Sequence, residues 1–486
     1  MQLGVWISLA AYFLLMIAIG IYAWRKATSS SEEYILGGRG LSPSVTALSA
    51  GASDMSGWLL LGLPGALYVS GLSQSWIGIG LTVGALVNWI VVAPRLREQT
   101  ERYDNSLTIP GFLGARFPST ARLLRMVSAV VIVVFFAVYT AAGLVGGGKL
   151  FASAFGGDYM TGILLTMGFV LVYTTIGGFL AVSLTDFVQG CIMMLALVIM
   201  PVVILTTDGG AGVGPAVDRL TAVDPDYFSM AKGMTLLGWI SAVAWGLGYF
   251  GQPHIIVRFM AIRSVGDVPM ARNICMSWMI VSLIGAVAVG IFGHAYALRN
   301  GLTVDDPETI FIILSDLLFH PLVTGFLYAA LLAAIMSTVS SQLLVASSSL
   351  TEDIYHALVK RDATQRELVA IGRLSVLAVG IIAAVIARDP DAQVLSLVSN
   401  AWAGFGAAFG PLIVLALTWK RMTGLGAVAG LVVGAVTVIL WIALGLNQSL
   451  GGGEGLYEIV PGFVASWAAI VLVSLATPDR GEFRRL

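Results

Sequence analysis

Ser49-Ala50-Gly51-Ala52-Ser53-Asp54-Met55-Ser56-Gly57-Trp58 sets an aspartate and a cluster of small residues in the middle of an apolar segment running from about 43 to 70. A carboxylate at mid-membrane depth costs about 2.5–3.5 kcal/mol on insertion scales, so it faces a partner, a cavity or an ion path rather than lipid. Gly51 and Gly57 flank it and weaken the helix on either side. A helix that opens near Asp54 frees backbone carbonyls beside the carboxylate, and together these are hard oxygen ligands for a small cation. The stretch points to transport coupled to an ion.

The rest of the chain agrees with a membrane setting. Of 486 residues, 58% are hydrophobic and only 11% charged, against about 25% charged in soluble domains. Apolar runs of about 20 residues recur, and the alternating ten-residue segments of an outer-membrane barrel do not. The net charge of -1 gives no sign of nucleic acid as a partner. Cys191 and Cys275 both lie in apolar segments, so neither a disulfide framework nor a cysteine metal site is expected. The first 24 residues lack a basic start and a small-residue cleavage site, and read as a retained first helix rather than a signal peptide.

Thirteen apolar runs reach spanning length, near 3–24, 43–70, 72–93, 123–151, 159–178, 183–206, 233–254, 273–298, 322–348, 367–388, 394–419, 424–446 and 458–477. An odd number puts the two ends on opposite sides. The loops that include Arg25, Arg95, Arg97, Arg116, Arg258, Arg263, Lys360, Lys420 and Arg484-Arg485 then share one face with 21 of the 26 basic residues, leaving Lys149, Arg219, Lys232, Arg299 and Arg388 on the other. The positive-inside rule makes the N-terminus external and the C-terminus cytoplasmic. The connections 208–232, 299–321 and 349–366 are too short to bury a core, so no soluble catalytic domain is expected. Gly143-Leu144-Val145-Gly146-Gly147-Gly148-Lys149 imitates a phosphate-binding loop, but Leu150 stands where Ser or Thr should follow, and small-residue helix packing is the better reading.

A second interruption, Trp245-Gly246-Leu247-Gly248-Tyr249-Phe250-Gly251-Gln252-Pro253, falls in the seventh span. Taken alone it is a packing kink. Paired with the break at Asp54 it marks the binding site of an inverted-repeat transporter. The two breaks lie five spans apart, an odd number, so the two units have opposite orientations. Spans two to six (about 43–206) and seven to eleven form the repeats, and with the twelfth span the second half runs over about 233–446, loops aside. An extra helix, 3–24, precedes them, and another, 458–477, leads to a cytoplasmic tail, 478–486.

In the ninth span, Ala334, Ser337 and Thr338 share one helix face at i, i+3 and i+4. Hydroxyls in membrane helices commonly back-bond to their own carbonyls. Beside the break they offer more, because the Ala334 carbonyl, the two hydroxyls and the carbonyls of Ala52 and Met55 make about five uncharged oxygen ligands. Such a set suits a monovalent ion. Asp186, at the cytoplasmic start of the sixth span, reads either as a helix-start residue favoured by the macrodipole or as a stop on the ion's inward path. Tyr139, Trp245 and Tyr249 suggest an aromatic wall with polar tips. The four histidines, His254, His294, His320 and His356, have no metal spacing.

These stretches, with GLGYFGQPHIIVR from Gly246, MSTVSSQLLV from Met336 and NAWAGFGAAFGP from Asn400, closely resemble the proline-carrying members of the solute:sodium symporter family. The resemblance implies an all-α polytopic membrane protein of about thirteen helices with a five-plus-five inverted-repeat, LeuT-type core. It implies a Na⁺ site at Ala52, Met55, Ala334, Ser337 and Thr338, and a substrate pocket lined by Trp58, Tyr139, Trp245, Tyr249 and Pro253. Asp54 is implied to be essential for coupling and Asp186 to lie on the inward ion route, with Ser56 and Gly57 placed alongside them. The expected activity is sodium-coupled uptake of L-proline in the bacterial cytoplasmic membrane. Alternatives are a sodium symporter for another small amino acid or organic solute, or a transporter-like membrane sensor; an enzyme is disfavoured. The named pocket residues include no basic side chain, so the substrate carboxylate is expected to meet backbone dipoles at the broken helices.

Overall fold

The computed structural model describes residues 3–26, 31–207, 212–450 and 453–477; the expected tail 478–486 lies outside them. Among the described residues, ten helices are long and apolar enough to cross a membrane, beginning with Leu3–Lys26 and ending with Ile459–Ala476. Three shorter apolar helices, Gly57–Ser70, Tyr159–Val172 and Leu236–Gly251, fall where the second, fifth and seventh spans were expected. Two of the three are the interrupted segments. A broken helix has no unbroken run of spanning length.

The second span starts as Pro43–Asp54, with proline in its first turn and the Ser42 hydroxyl accepting from the Val45 N–H at 3.4 Å. It stops at Met55, whose φ of −78° and ψ of 72° leave the helical region. The chain resumes as Gly57–Leu60 and Gly62–Ser70, with the Ser56 hydroxyl capping Trp58. The reason for the break is visible in the hydrogen bonds. The Ser56 N–H turns to the Asp54 carbonyl at 2.9 Å, so it does not reach the Ala52 carbonyl that a continuing helix would give it.

The seventh span runs as Leu236–Val243, tightens to a 3₁₀ turn over Ala244–Gly251, passes through extended Gln252, and restarts as Pro253–Ala261. Its glycines serve packing as well as the break. A Cβ on Gly246 would strike the backbone of Gly80 in the third span, and one on Gly84 would strike Gly246, so two backbones touch directly at this crossing. Gly248 likewise lies against the Trp402 indole.

Three expectations are corrected. The fifth and sixth spans are joined through Gly178 alone (φ 59°, ψ −155°) within Tyr159–Thr207, with no loop of four residues between them. Asp186 therefore stands eight residues past the turn, inside a helix, and the helix-start reading fails. Lys149 and Arg258, counted above as loop charges, are helical and buried: Lys149 in the fourth span (Ala121–Phe155) and Arg258 in Pro253–Ala261. The glycine run before Lys149 is helix packing, with Gly143 and Gly146 against Val339 and Ile335 of the ninth span (Pro321–Ser348) and Gly147 against Thr166.

The ninth span is central, packed against the first, fourth and sixth. Beyond Ser348 it widens into a π-helical stretch, Ser349–Val359, a local irregularity that often marks function. Cys191 and Cys275 are free thiols.

Candidate functional site

Where the second span stops, the ninth span fills the gap. The Ser337 hydroxyl donates to the freed Ala52 carbonyl at 2.8 Å and lies 3.2 Å from the Ala334 carbonyl. Thr338 Oγ1 lies 3.4 Å from the Ala52 carbonyl and 3.3 Å from that of Ala334. Four of the five expected ligands thus converge, and all four residues are buried. Met55 is the first residue past the helix end and is fully buried. The donor set is carbonyl and hydroxyl oxygen with no fixed charge, which fits a monovalent hard cation.

Asp54 faces the other way. Tyr249, from the break of the seventh span, donates its hydroxyl to Asp54 Oδ2, so the two breaks are tied together by one side-chain bond. The second carboxylate oxygen, Oδ1, is buried without a hydrogen-bond partner. Ser56 caps the restarted helix and Gly57 packs 3.1 Å, measured from an added Cβ, from Ile335 of the ninth span.

The aromatic residues gather round this bond. Trp58 Nε1 donates to the Asp54 carbonyl at 3.4 Å, and its ring lies 6.3 Å from that of Trp245. Tyr139 of the fourth span completes the group beside Asp54 and Ser56. Trp402 of the eleventh span (Val394–Thr418), which sequence reasoning did not single out, stands edge-on to Tyr249 at 5.1 Å and donates to the Trp245 carbonyl at 2.7 Å. Gln252 spans the break from the seventh span, donating to the carbonyls of Gly248 and Trp402. Trp58, Tyr139, Trp245 and Tyr249 are each at most 6% exposed, so the wall is closed to solvent. Pro253 opens the following helix and lines a different, narrow apolar cleft with Leu107, Ile109, Val257, Leu344 and Phe179.

One turn below the oxygen cluster lies a charged group. Asp186 Oδ2 accepts from Ser49 at 2.8 Å and from Arg258 Nη2 at 3.1 Å, with Ser341 at 3.4 Å. Arg258 also donates to Ser49 at 3.1 Å, to Ser341 at 2.5 Å and to the His254 carbonyl. Both ionic side chains are fully buried. Arg258 is the partner that the sequence did not reveal: a buried carboxylate demands a counter-charge, and this arginine supplies it from five residues after Pro253. Its guanidinium is committed to Asp186, so it does not supply a free basic partner for a substrate carboxylate.

Comparison with known proteins gives a consistent result. The family model described as "Sodium:solute symporter family" matches residues 34–434. The "High-affinity proline transporter PutP" of Bacillus subtilis (strain 168) is 56% identical over 462 residues, covering 95% of this chain and 96% of that one. The "Sodium/proline symporter" of Staphylococcus aureus (strain JH9) is 52% identical over 486 residues, covering 98% and 94%. A solved structure of a Na⁺-coupled sialic acid symporter in a substrate-bound outward-open state has a TM-score of 0.83 at 19% identity, covering 98% and 99%, and shows that the fold is shared.

Proposed function

The chain belongs to the sodium:solute symporter family, and from that premise we propose that it takes up L-proline by coupling it to sodium entry. It is a secondary transporter, not an enzyme. Its many apolar helices set it in a lipid bilayer as a multi-pass protein, the family and its bacterial relatives favour the cytoplasmic membrane, and the excess of basic loop residues on one side favours an external N-terminus and a cytoplasmic C-terminus. Spans two to six and seven to eleven act as the two inverted repeats, with the first and the last two spans as additions.

The observation that carries this reading is the pair of adjoining contacts at the break, Ser337 and Thr338 on the Ala52 carbonyl and Tyr249 on Asp54. Sodium is held by Ala52, Met55, Ala334, Ser337 and Thr338. The ion fixes the end of Pro43–Asp54 against the ninth span, and through Asp54 that position is passed to Tyr249 and the aromatic wall. Trp58, Tyr139, Trp245 and Tyr249 enclose the apolar ring of proline, and Pro253 marks the way out. The charged ends of the substrate meet the exposed backbone groups of the two breaks and the unpartnered Asp54 oxygen. Because ion and substrate favour the same arrangement, each raises the affinity for the other by the same factor. Alternating access follows from rocking the repeats about this fixed site.

The test is radiolabelled proline uptake into proteoliposomes. An inward sodium gradient drives accumulation above the equilibrium level. Equal filling with and without the gradient would overturn the coupling, and accumulation of another amino acid in place of proline would overturn the substrate.

A further inference from the structure

Asp353 lies in the π-helical continuation of the ninth span and is completely buried. Its Oδ1 accepts from Thr108 at 3.0 Å and lies 3.4 Å from Arg125 Nη1, while Oδ2 accepts from Ser349 at 3.4 Å. These partners come from three places. Thr108 caps the short helix Ile109–Arg116 by accepting from the Gly111 N–H at 2.9 Å, Arg125 opens the fourth span, and Ser349 is the first residue of the π-helical stretch. One carboxylate thus pins the loop helix between the third and fourth spans onto the end of the ninth.

The pinned surfaces are the two sides of the cleft that Pro253 heads. Leu107, Thr108, Ile109 and Pro110 face Leu344, Val345, Ser348 and Ser349 across it. The cleft therefore leads from the restart of the seventh span toward the cytoplasmic face of the proposed orientation. Apart from Thr108 and the two serines its walls are apolar, so little but the Asp353 cluster gives the closure direction. Arg125 is 28% exposed, and a partly solvated ion pair is easier to part than a dry one.

We infer that Asp353 is a positioning residue of the inner gate, holding the Thr108–Arg116 segment shut across the substrate's cytoplasmic exit. Opening the exit requires the Thr108 and Arg125 contacts to break, and the π-helical turn is the element that moves away. This rests on the transporter reading, but its test reads the gate without substrate, so its failure and the failure of the proline assignment are separate results.

The experiment uses the full-length chain with Cys191 and Cys275 replaced by serine and alanine, and Ser348→Cys as a reporter on the cleft wall. A membrane-impermeant maleimide is applied to the cytoplasmic side of inside-out vesicles. Asp353→Asn raises the labelling rate of the reporter about tenfold, the effect of losing charge-assisted hydrogen bonds on a two-state closure. Thr108→Val raises it by a smaller factor and Thr108→Ser restores the parent rate. Arg125→Gln, at a partly exposed site, serves if Asp353→Asn does not fold. Unchanged labelling in Thr108→Val and Arg125→Gln would overturn the proposal, as would equal increases in Thr108→Val and Thr108→Ser.

Discussion

The fourth span carries a cation at either end, and each is met by a carboxylate from a segment flanking the ninth span. At its C-terminal end Lys149 pairs at 2.8 Å with both Glu308 and Asp306, and Glu308 also accepts from the Val394 and Leu395 N–H groups at 2.9 and 3.0 Å. At its N-terminal end the Arg125 to Asp353 distance is 3.4 Å. The Lys149 clamp has a cation with 5% exposure and a carboxylate that caps a helix start; the Arg125 clamp has longer bonds and a cation partly in water. Attraction between charges weakens with distance and with solvent access. The same device is built tight at one end of the span and looser at the other.

Breaking the firm side has the largest effect. Glu308→Ala strips two backbone N–H groups of their acceptor and leaves Lys149 with only Asp306, costing about 3 kcal/mol; a fall in thermal midpoint of the detergent-solubilised protein, larger than for any other variant here, is the expected result. Parity with Arg125→Gln would abolish the contrast. Between the clamps lies the oxygen cluster, and Ser337→Ala removes one of its proposed sodium ligands without touching either end. It costs about 1.4 kcal/mol of ion binding, or tenfold in the sodium concentration for half-maximal proline uptake, with the thermal midpoint nearly unchanged. Tyr249→Phe, which unties the two breaks, weakens sodium and proline binding together by about fivefold each, a coupling of about 1 kcal/mol, measured by isothermal titration of one ligand with and without the other. The smallest effect is that of Arg125→Gln on stability, about 0.5–1 kcal/mol, measured by denaturation in mixed micelles.

The legible parts of this molecule were the ones where sequence violates a rule. Asp54 between two glycines, and three glycines with a proline in the seventh span, stand out because an apolar helix has no local use for them. The oxygen cluster was readable because i, i+3, i+4 spacing fixes a helix face. Arg258 and Lys149 were not readable in the same way. An ionisable residue near the end of an apolar run looks like a loop charge, and only the fold shows Asp186 and Glu308 waiting for it. Trp402 was hidden for the opposite reason: among the alanines and glycines of the eleventh span one aromatic passes as packing. Gly178 was missed because one residue in a left-handed φ breaks the helix where a loop of four was expected.

The crossing of Gly80, Gly84 and Gly246 has a mechanical consequence. At the glycines no side chain separates the third and seventh spans, while on either side of that point aromatic pairs mesh across the seam, Trp76 with Trp239 at 5.5 Å and Trp89 with Phe259 at 4.5 Å. Such a seam is a fulcrum: the span that carries Tyr249 is held at backbone distance from its neighbour at one point, with a ring pair on either side of it. A single methyl at Gly84 would act as a wedge, forcing the two backbones apart beside the break without touching the oxygen cluster.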